Sequence, residues 1–336
     1  MTKAQSNSLF KNLTSASRTV LWAISYIPSL CFLLLYSLRW ISGDTTEPVR
    51  MVSYVAPWLL IFFMPLLVIA VLSRRKQLAF VTAIPIVTIA FTFAPLFLPR
   101  FQTSPSADRF TLKIMTYNMH AIKDVRGIAE VIRQENPDIL LIQEYSNRLF
   151  SPSFHGLDKL YPELYMEVAS KDFRQAAFSR YPIKLIRVEY EKGRTQKVEI
   201  ELPTGSIEVW NIHPIPPFLI PPEEFDAQMT ALAEDIPQVE GPLIVAGDMN
   251  ATDQSEVYRK FNHYLQDAYW ETGWGFGFSY PASPYSFMDM PFQTGPLWRI
   301  DYVFHSHHFS AISARTLTNA GGSDHFPVVV ELSIGK

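Results

Sequence analysis

The 336-residue sequence predicts an α/β domain preceded by three membrane-crossing helices, and three observations carry that expectation. Charge is split: residues 1–104 hold nine Lys/Arg against two acids, and the remainder holds twenty against thirty, so a part near +7 precedes one near −10. Three apolar stretches of about 20 residues each, the length that spans a hydrocarbon core, fall within the first part. Beyond residue 109, apolar runs of strand length alternate with helical patterns, as in sheets covered by helices.

The apolar stretches run from about Val20 to Trp40, Val52 to Leu72 and Leu78 to Leu98. None shows the polar face that a buried helix of a soluble bundle carries, and three spans in series do not fit a cleaved signal peptide. The third contains Pro85 and Pro95, which makes it the span most open to being broken. Flanking charge sets the orientation. Lys3, Lys11 and Arg18 precede the first span and Arg74, Arg75 and Lys76 follow the second, whereas the intervening loop offsets Arg39 and Arg50 with Asp44 and Glu47. The two basic segments are expected on the cytoplasmic side. Three crossings then put the rest on the extracytoplasmic face of an integral membrane protein, with a bacterial inner membrane as the expected setting. Cys31 is the only cysteine, which excludes an intrachain disulfide or a Cys-ligated zinc site.

Residues 99–109 (PRFQTSPSADR) read as a linker, dividing a membrane domain of residues 1–104 from a second domain of residues 105–336. There Phe110–Asn118 reads as a strand. Val125, Ile128, Val131 and Ile132 form a helical stripe stopped by Asn136-Pro137. Asp138–Glu144 (DILLIQE) follows as a buried strand and Ile207–His213 as an alternating one. Phe225, Met229, Leu232 and Ile236 line one helix face after Pro221-Pro222. Leu243–Asn250, Ile300–His305 and His325–Leu332 are expected to complete the strands.

Chemistry enters through the placement of polar residues on these elements. Asn118, Glu144, His213, Asp248 and Asn250 fall at or just beyond the C-terminal ends of apolar strands. Asp301 and His325 fall at strand beginnings, with Asp324 immediately before. In an antiparallel pair the start of one strand lies beside the end of its neighbour, so these groups could gather along one sheet rim. The carboxylates and amides are hard oxygen donors suited to Mg²⁺ or Mn²⁺. His213 and His325 could handle protons or contact phosphate oxygens near neutral pH.

The ordered motifs IMTYNMH (Ile114–His120), DILLIQE, FSRYPI (Phe178–Ile183), WNIHP (Trp210–Pro214), VAGDMNAT (Val245–Thr252), RIDYVF (Arg299–Phe304) and GGSDHFPV (Gly321–Val328) resemble those of the endonuclease/exonuclease/phosphatase superfamily, over about residues 110–334. The specific element is the combination of a GDxN core with a terminal SDH. The resemblance implies a four-layer α-β-β-α sandwich of two packed, mixed but largely antiparallel sheets, and metal-dependent hydrolysis of a phosphodiester or phosphomonoester. By position, Glu144 resembles the principal metal ligand, with Asn118 beside it and Asp324 a further candidate. Asp248 would orient or activate the attacking water, and Asn250 would bind phosphate or metal. His213 would contact phosphate, stabilise the phosphorane or protonate the leaving oxygen. Asp301 looks like the carboxylate behind one histidine or at a second metal position, and Asp324 with His325 would form a basicity-raising pair. Relatives that cut DNA often carry an acidic or aromatic residue ahead of the FSRYPI-like strand. Arg174 and Gln175 stand there instead, which leaves the substrate class open.

The expected substrate is a phosphate ester of a lipid headgroup or small extracytoplasmic molecule. Nuclease activity is the alternative, weakened because an acidic domain lacks the Lys/Arg excess that neutralises phosphates. A non-catalytic binding module is weakened by the full set of candidate ligands. Two aromatic, Pro-rich stretches, Pro214–Pro222 and Trp270–Phe292, are expected either to pack over the core or to present apolar rims to a bilayer.

Overall fold

The computed structural model describes residues 3–44, 46–99, 109–120, 125–146, 157, 165–168, 174–189, 191–282 and 295–335. Linker residues 100–108 and residues 283–292 of the second aromatic stretch lie outside the described residues. The chain divides into two compact units, Met1–Pro95 and Leu96–Lys336.

In the first unit, α1 (Lys3–Ser42), α2 (Glu47–Val55), α3 (Leu59–Leu72) and α4 (Lys76–Phe93) follow one another, with a 3₁₀ turn at Ala56–Trp58. Three stretches are long and apolar enough to cross a membrane: Thr19–Ile41, Glu47–Leu72 and Lys76–Phe97. The third is not broken at Pro85, which lies inside α4, and it runs on through a 3₁₀ turn at Ala94–Phe97. A proline removes one backbone donor, and local adjustment around it keeps such helices continuous in apolar segments.

The second unit holds two six-stranded sheets. Sheet A is built from β1 (Arg109–Asn118), β2 (Ile139–Gln143), β3 (Tyr165–Val168), β4 (Ala176–Ser179), β11 (Phe309–Thr316) and β12 (Val328–Gly335), in the order β11-β12-β1-β2-β4-β3. Sheet B is built from β5 (Ile183–Glu189), β6 (Thr195–Leu202), β7 (Gly205–Ile212), β8 (Leu243–Asp248), β9 (Gln266–Asp267) and β10 (Asp301–His305), in the order β5-β6-β7-β8-β10-β9. The central pairs β1–β2 and β7–β8 are parallel and the others antiparallel. Each parallel pair is joined through a crossover helix, as parallel geometry requires.

Helices cover both outer faces. α5 (Arg126–Glu135) sets Ile128, Ala129, Val131 and Ile132 against Met115, Tyr117, Leu140 and Ile142 of sheet A. Asn136 ends it in the left-handed conformation, φ 52°, so the Asn-Pro stop acts as a C-cap. On sheet B, α6 (Pro222–Asp235) and α7 (Glu256–Tyr264) bring Phe225, Met229, Leu232, Val257 and Phe261 onto Trp210, Ile212, Val245, Tyr302 and Phe304. A short α8 (Ala268–Thr272) follows β9. Because strand side chains alternate, the opposite faces of β1, β2, β7, β8 and β10 meet between the sheets, completing the expected four layers.

Two sequence expectations change. His325–Leu332 is not one strand: His325 lies on a loop, and β12 begins at Val328, after Pro327. The expected strand set was also short, lacking β3, β5, β6, β9 and β11. Thr195, Gln196 and Lys197 of β6 are all buried, so the alternation that marks a half-solvated strand is missing there.

Candidate active site

Register alone brings the polar residues together. Parallel pairing places Asn118 at the end of β1 beside Gln143, so Glu144 follows immediately along the same rim. In sheet B, Ile212 pairs with Gly247, which sets His213 next to Asp248, and Asp248 pairs across with Asp301. Gly247 is required here. Its φ is 144°, and a Cβ would stand 2.0 Å from the Ile212 carbonyl oxygen. The last two residues arrive on the Gly321–Pro327 loop. Ser323 donates to the Asn118 carbonyl at 2.7 Å and accepts from the His325 N–H at 3.1 Å, fixing that loop to the end of β1.

The side chains then converge. The Asn118 Nδ2 donates to Asp248 Oδ2 at 3.1 Å and to Glu144 Oε1 at 3.4 Å. Expected as a ligand, Asn118 thus faces two carboxylates with its nitrogen and orients them; its oxygen accepts from the His120 N–H at 3.0 Å. His213 Nε2 lies 3.8 Å from both Glu144 Oε1 and Asp248 Oδ2. The Asn250 N–H donates to Asp248 Oδ1 at 2.9 Å, and its side-chain amide donates to the Pro214 carbonyl at 3.1 Å.

The pairing expected between Asp324 and the His325 imidazole is replaced. His325 Nδ1 is hydrogen-bonded to Asp301 Oδ2 at 2.9 Å, and its Nε2 faces Asp248 Oδ2 at 3.8 Å. Asp324 turns instead to His120, with Oδ2 3.1 Å from Nδ1. Adjacent residues on a tight loop point apart, so sequence neighbourhood does not make them partners. The Tyr280 ring lies against His325, tilted by 42° with ring centroids 4.7 Å apart.

Burial sets the proton affinities. Asp248 is pushed up to about 7 by burial, against the pull of the His325 cation. Burial would lower His325, but the Asp301 and Asp248 carboxylates dominate and hold it at about 10. His213 is lowered to about 4 by burial, against the pull of the Glu144 carboxylate and with the help of the His325 and Arg194 charges. Burial also raises Asp324. At neutral pH the site therefore holds one imidazolium, one neutral imidazole and a carboxyl group close to its titration point.

A divalent cation fits the donor set. One ligand atom from each of Asp248, Asp301 and His325 lies within 4.8 Å of the others, all three residues buried. The ring nitrogen that Asp301 engages is already hydrogen-bonded, so the oxygen-rich side near Glu144, Asp248 and Asp324 is the better match for a hard ion. Asp301 Oδ1 and Asp324 Oδ1 are buried and lack a hydrogen-bond partner among the described residues. Uncompensated carboxylate oxygens are costly, and a cation offsets that cost.

Sequence reasoning gave no role to several residues. His120 and Ser323 were only parts of motifs, and Tyr280 carries no signal beyond its neighbourhood. The buried pair Gln143 and Asn211 bridges the two sheets at 2.7 Å beneath the site. Extending the antiparallel registers places Arg194 across from His213 and Arg174 across from Glu144, one arginine per sheet beside the acidic centre.

Comparison with known proteins agrees with this geometry. The Endonuclease/Exonuclease/phosphatase family profile matches residues 115–325, a range that includes all eight expected site residues. Among solved structures, an endonuclease/exonuclease/phosphatase family protein from Bacteroides thetaiotaomicron is 17% identical, covering 68% of this chain and 99% of that one, with a TM-score of 0.51. Truncated TDP2 from Caenorhabditis elegans is 18% identical over 66% of this chain and 98% of that one, with a TM-score of 0.51. TDP2 from D. rerio, complexed with single strand DNA product, is 14% identical over 66% and 98%, with a TM-score of 0.52. At these identities the likeness is one of fold. No curated protein matches the chain. With the sandwich, the acid–imidazole cluster and the family match in hand, the chain belongs to the endonuclease/exonuclease/phosphatase family and is a phosphoesterase of that family.

Proposed function

We propose that the protein is a membrane-anchored, divalent-metal-dependent hydrolase of a phosphodiester or phosphomonoester, with a lipid headgroup or a small extracytoplasmic molecule as substrate. The observation that carries this reading is the alignment Asp301–His325–Asp248, with His213, Asn118 and Glu144 on the same rim. Glu144 and Asp324 would hold Mg²⁺ or Mn²⁺, beside the carboxylates that Asn118 orients. When bound, the ion supplies Lewis-acid charge to a phosphoryl oxygen.

This chain's own residues do the rest. Asp248, pushed up to about 7, is matched to accept the proton of an attacking water at neutral pH. His325, fixed by Asp301, remains a cation and stabilises negative charge developing on the phosphorane. Neutral His213 offers an N–H to a phosphoryl or leaving oxygen. The Asn250 side chain, held by the Pro214 carbonyl at the same rim, would contact a phosphate oxygen.

The test is hydrolysis by the full-length chain, with Mg²⁺ or Mn²⁺ and then with chelator, of sphingomyelin, phosphatidylinositol phosphates, plasmid DNA and RNA. Turnover is expected on a lipid or small ester and lost with chelator. Asp248→Ala, His213→Ala and His325→Ala should each lower kcat at least ~10²-fold, the scale of a lost acid–base group. Unchanged turnover in all three removes the mechanism, and a clear preference for nucleic acid removes the substrate reading.

A further inference from the structure

The loop leaving His213 has a composition unlike the rest of the acidic unit. Residues 214–222 (PIPPFLIPP) carry no polar side chain at all. The loop is anchored at both ends. At its start the Pro214 carbonyl accepts from the Asn250 side chain, and near its finish Ile220 packs on the sheet B cluster. Between them the Leu219 N–H donates to the Pro216 carbonyl at 2.9 Å, closing a turn whose flanking prolines fix φ. This turn points Phe218 and Leu219 outward, 82% and 66% exposed. These are the two largest exposures of any large apolar side chain among the described residues of the second unit. A globular domain with no use for that surface would bury it or replace it with polar residues.

We propose that Phe218 and Leu219 insert into the polar–apolar boundary of the bilayer that the chain's own three apolar helices occupy, so that the site takes its ester from a lipid surface. The same chain supplies its partner, since Thr19–Ile41, Glu47–Leu72 and Lys76–Phe97 are each long and apolar enough to span it. Charge selects the kind of surface. Glu223 and Glu224 follow the loop directly and the second unit is acidic overall, so insertion rests on apolar contact and favours zwitterionic over anionic lipid. This inference rests on the phosphoesterase reading only for the identity of the ester. The insertion itself is independent of turnover.

The full-length chain is reconstituted into phosphatidylcholine vesicles with Cys31→Ser and Phe218→Cys, and a spin label is placed on the new thiol. A second chain carries the label at Ser206→Cys, an exposed position at the other end of β7 from His213. Collision with dissolved oxygen exceeding collision with a water-soluble nickel chelate at position 218, and the reverse at position 206, is the expected result. Chelate access at position 218 equal to that at position 206 overturns the proposal, whatever the enzyme does with esters. As a second readout, Phe218→Ser/Leu219→Ser should slow hydrolysis of a vesicle-embedded phosphoester about tenfold more than hydrolysis of soluble bis(p-nitrophenyl) phosphate. Equal relative losses also overturn it.

Discussion

Asp248 and His325 set the pH behaviour of this site, and their shifts give it a sign. Asp248 accepts a proton only when ionised, so activity should fall as pH drops through about 7. His325 stabilises charge only as a cation, so activity should fall again as pH rises through about 10. A bell-shaped kcat profile between those limits is the expected measurement. Asp301→Asn removes the first of the carboxylates that raise His325 and should move the alkaline limb down toward an ordinary imidazole value; it also removes a charge that raises Asp248, so the acid limb should move down as well. An unmoved alkaline limb would assign it to another group. At this scale the sequence was read well for the residues carried by strand ends, because register dictates where they go. It was read poorly for loop residues. Nothing in the order Ser323-Asp324-His325 tells that the imidazole turns to Asp301 while Asp324 turns to His120.

Elements hold this site through close approach and buried polar bridges. Gly247→Ala should destabilise the fold by about 1–3 kcal/mol, the cost of forcing a methyl group into a packed space, and lower kcat by displacing Asp248; thermal unfolding and kinetics check both. Asn211 gives its amide hydrogens to the Ile142 and Ala176 carbonyls and accepts from Gln143, tying sheet to sheet. Asn211→Leu leaves those buried groups unsatisfied and should cost about 1–3 kcal/mol per orphaned group, with chemical denaturation as the measurement. Helices and central strands were legible because their apolar periods are plain: α5, α6, β1, β2 and β8 fall within a few residues of expectation. The sandwich's outlying strands were not. Lys197 in β6 looks like a surface residue, yet it is fully buried against Glu189, Asp235 and the Trp210 ring. Tertiary pairing, invisible in one sequence, lets a lysine occupy a strand interior.

For the whole molecule, the uneven charge is the organising fact. A basic N-terminal part with three helices long and apolar enough to cross a membrane precedes an acidic α/β part, and the proposed extracytoplasmic side of the latter rests on the basic flanks of those helices alone. In Cys31→Ser cells, a thiol introduced by Ser206→Cys should react with a membrane-impermeant maleimide without lysis; labelling only after lysis reverses the topology. The three long apolar helices were legible from hydropathy alone, since their length and composition are plain in the sequence. The central claim is that groups scattered from Asn118 to His325 form one cation-binding catalytic pocket. Its most direct test is Mn²⁺ binding to the full-length chain, read from the free-ion paramagnetic signal and set beside ester turnover. The account predicts that Glu144→Gln and Asp248→Asn each weaken Mn²⁺ binding at least ~10-fold and abolish turnover together, whereas unchanged Mn²⁺ affinity in both, or full turnover after chelation, would contradict it.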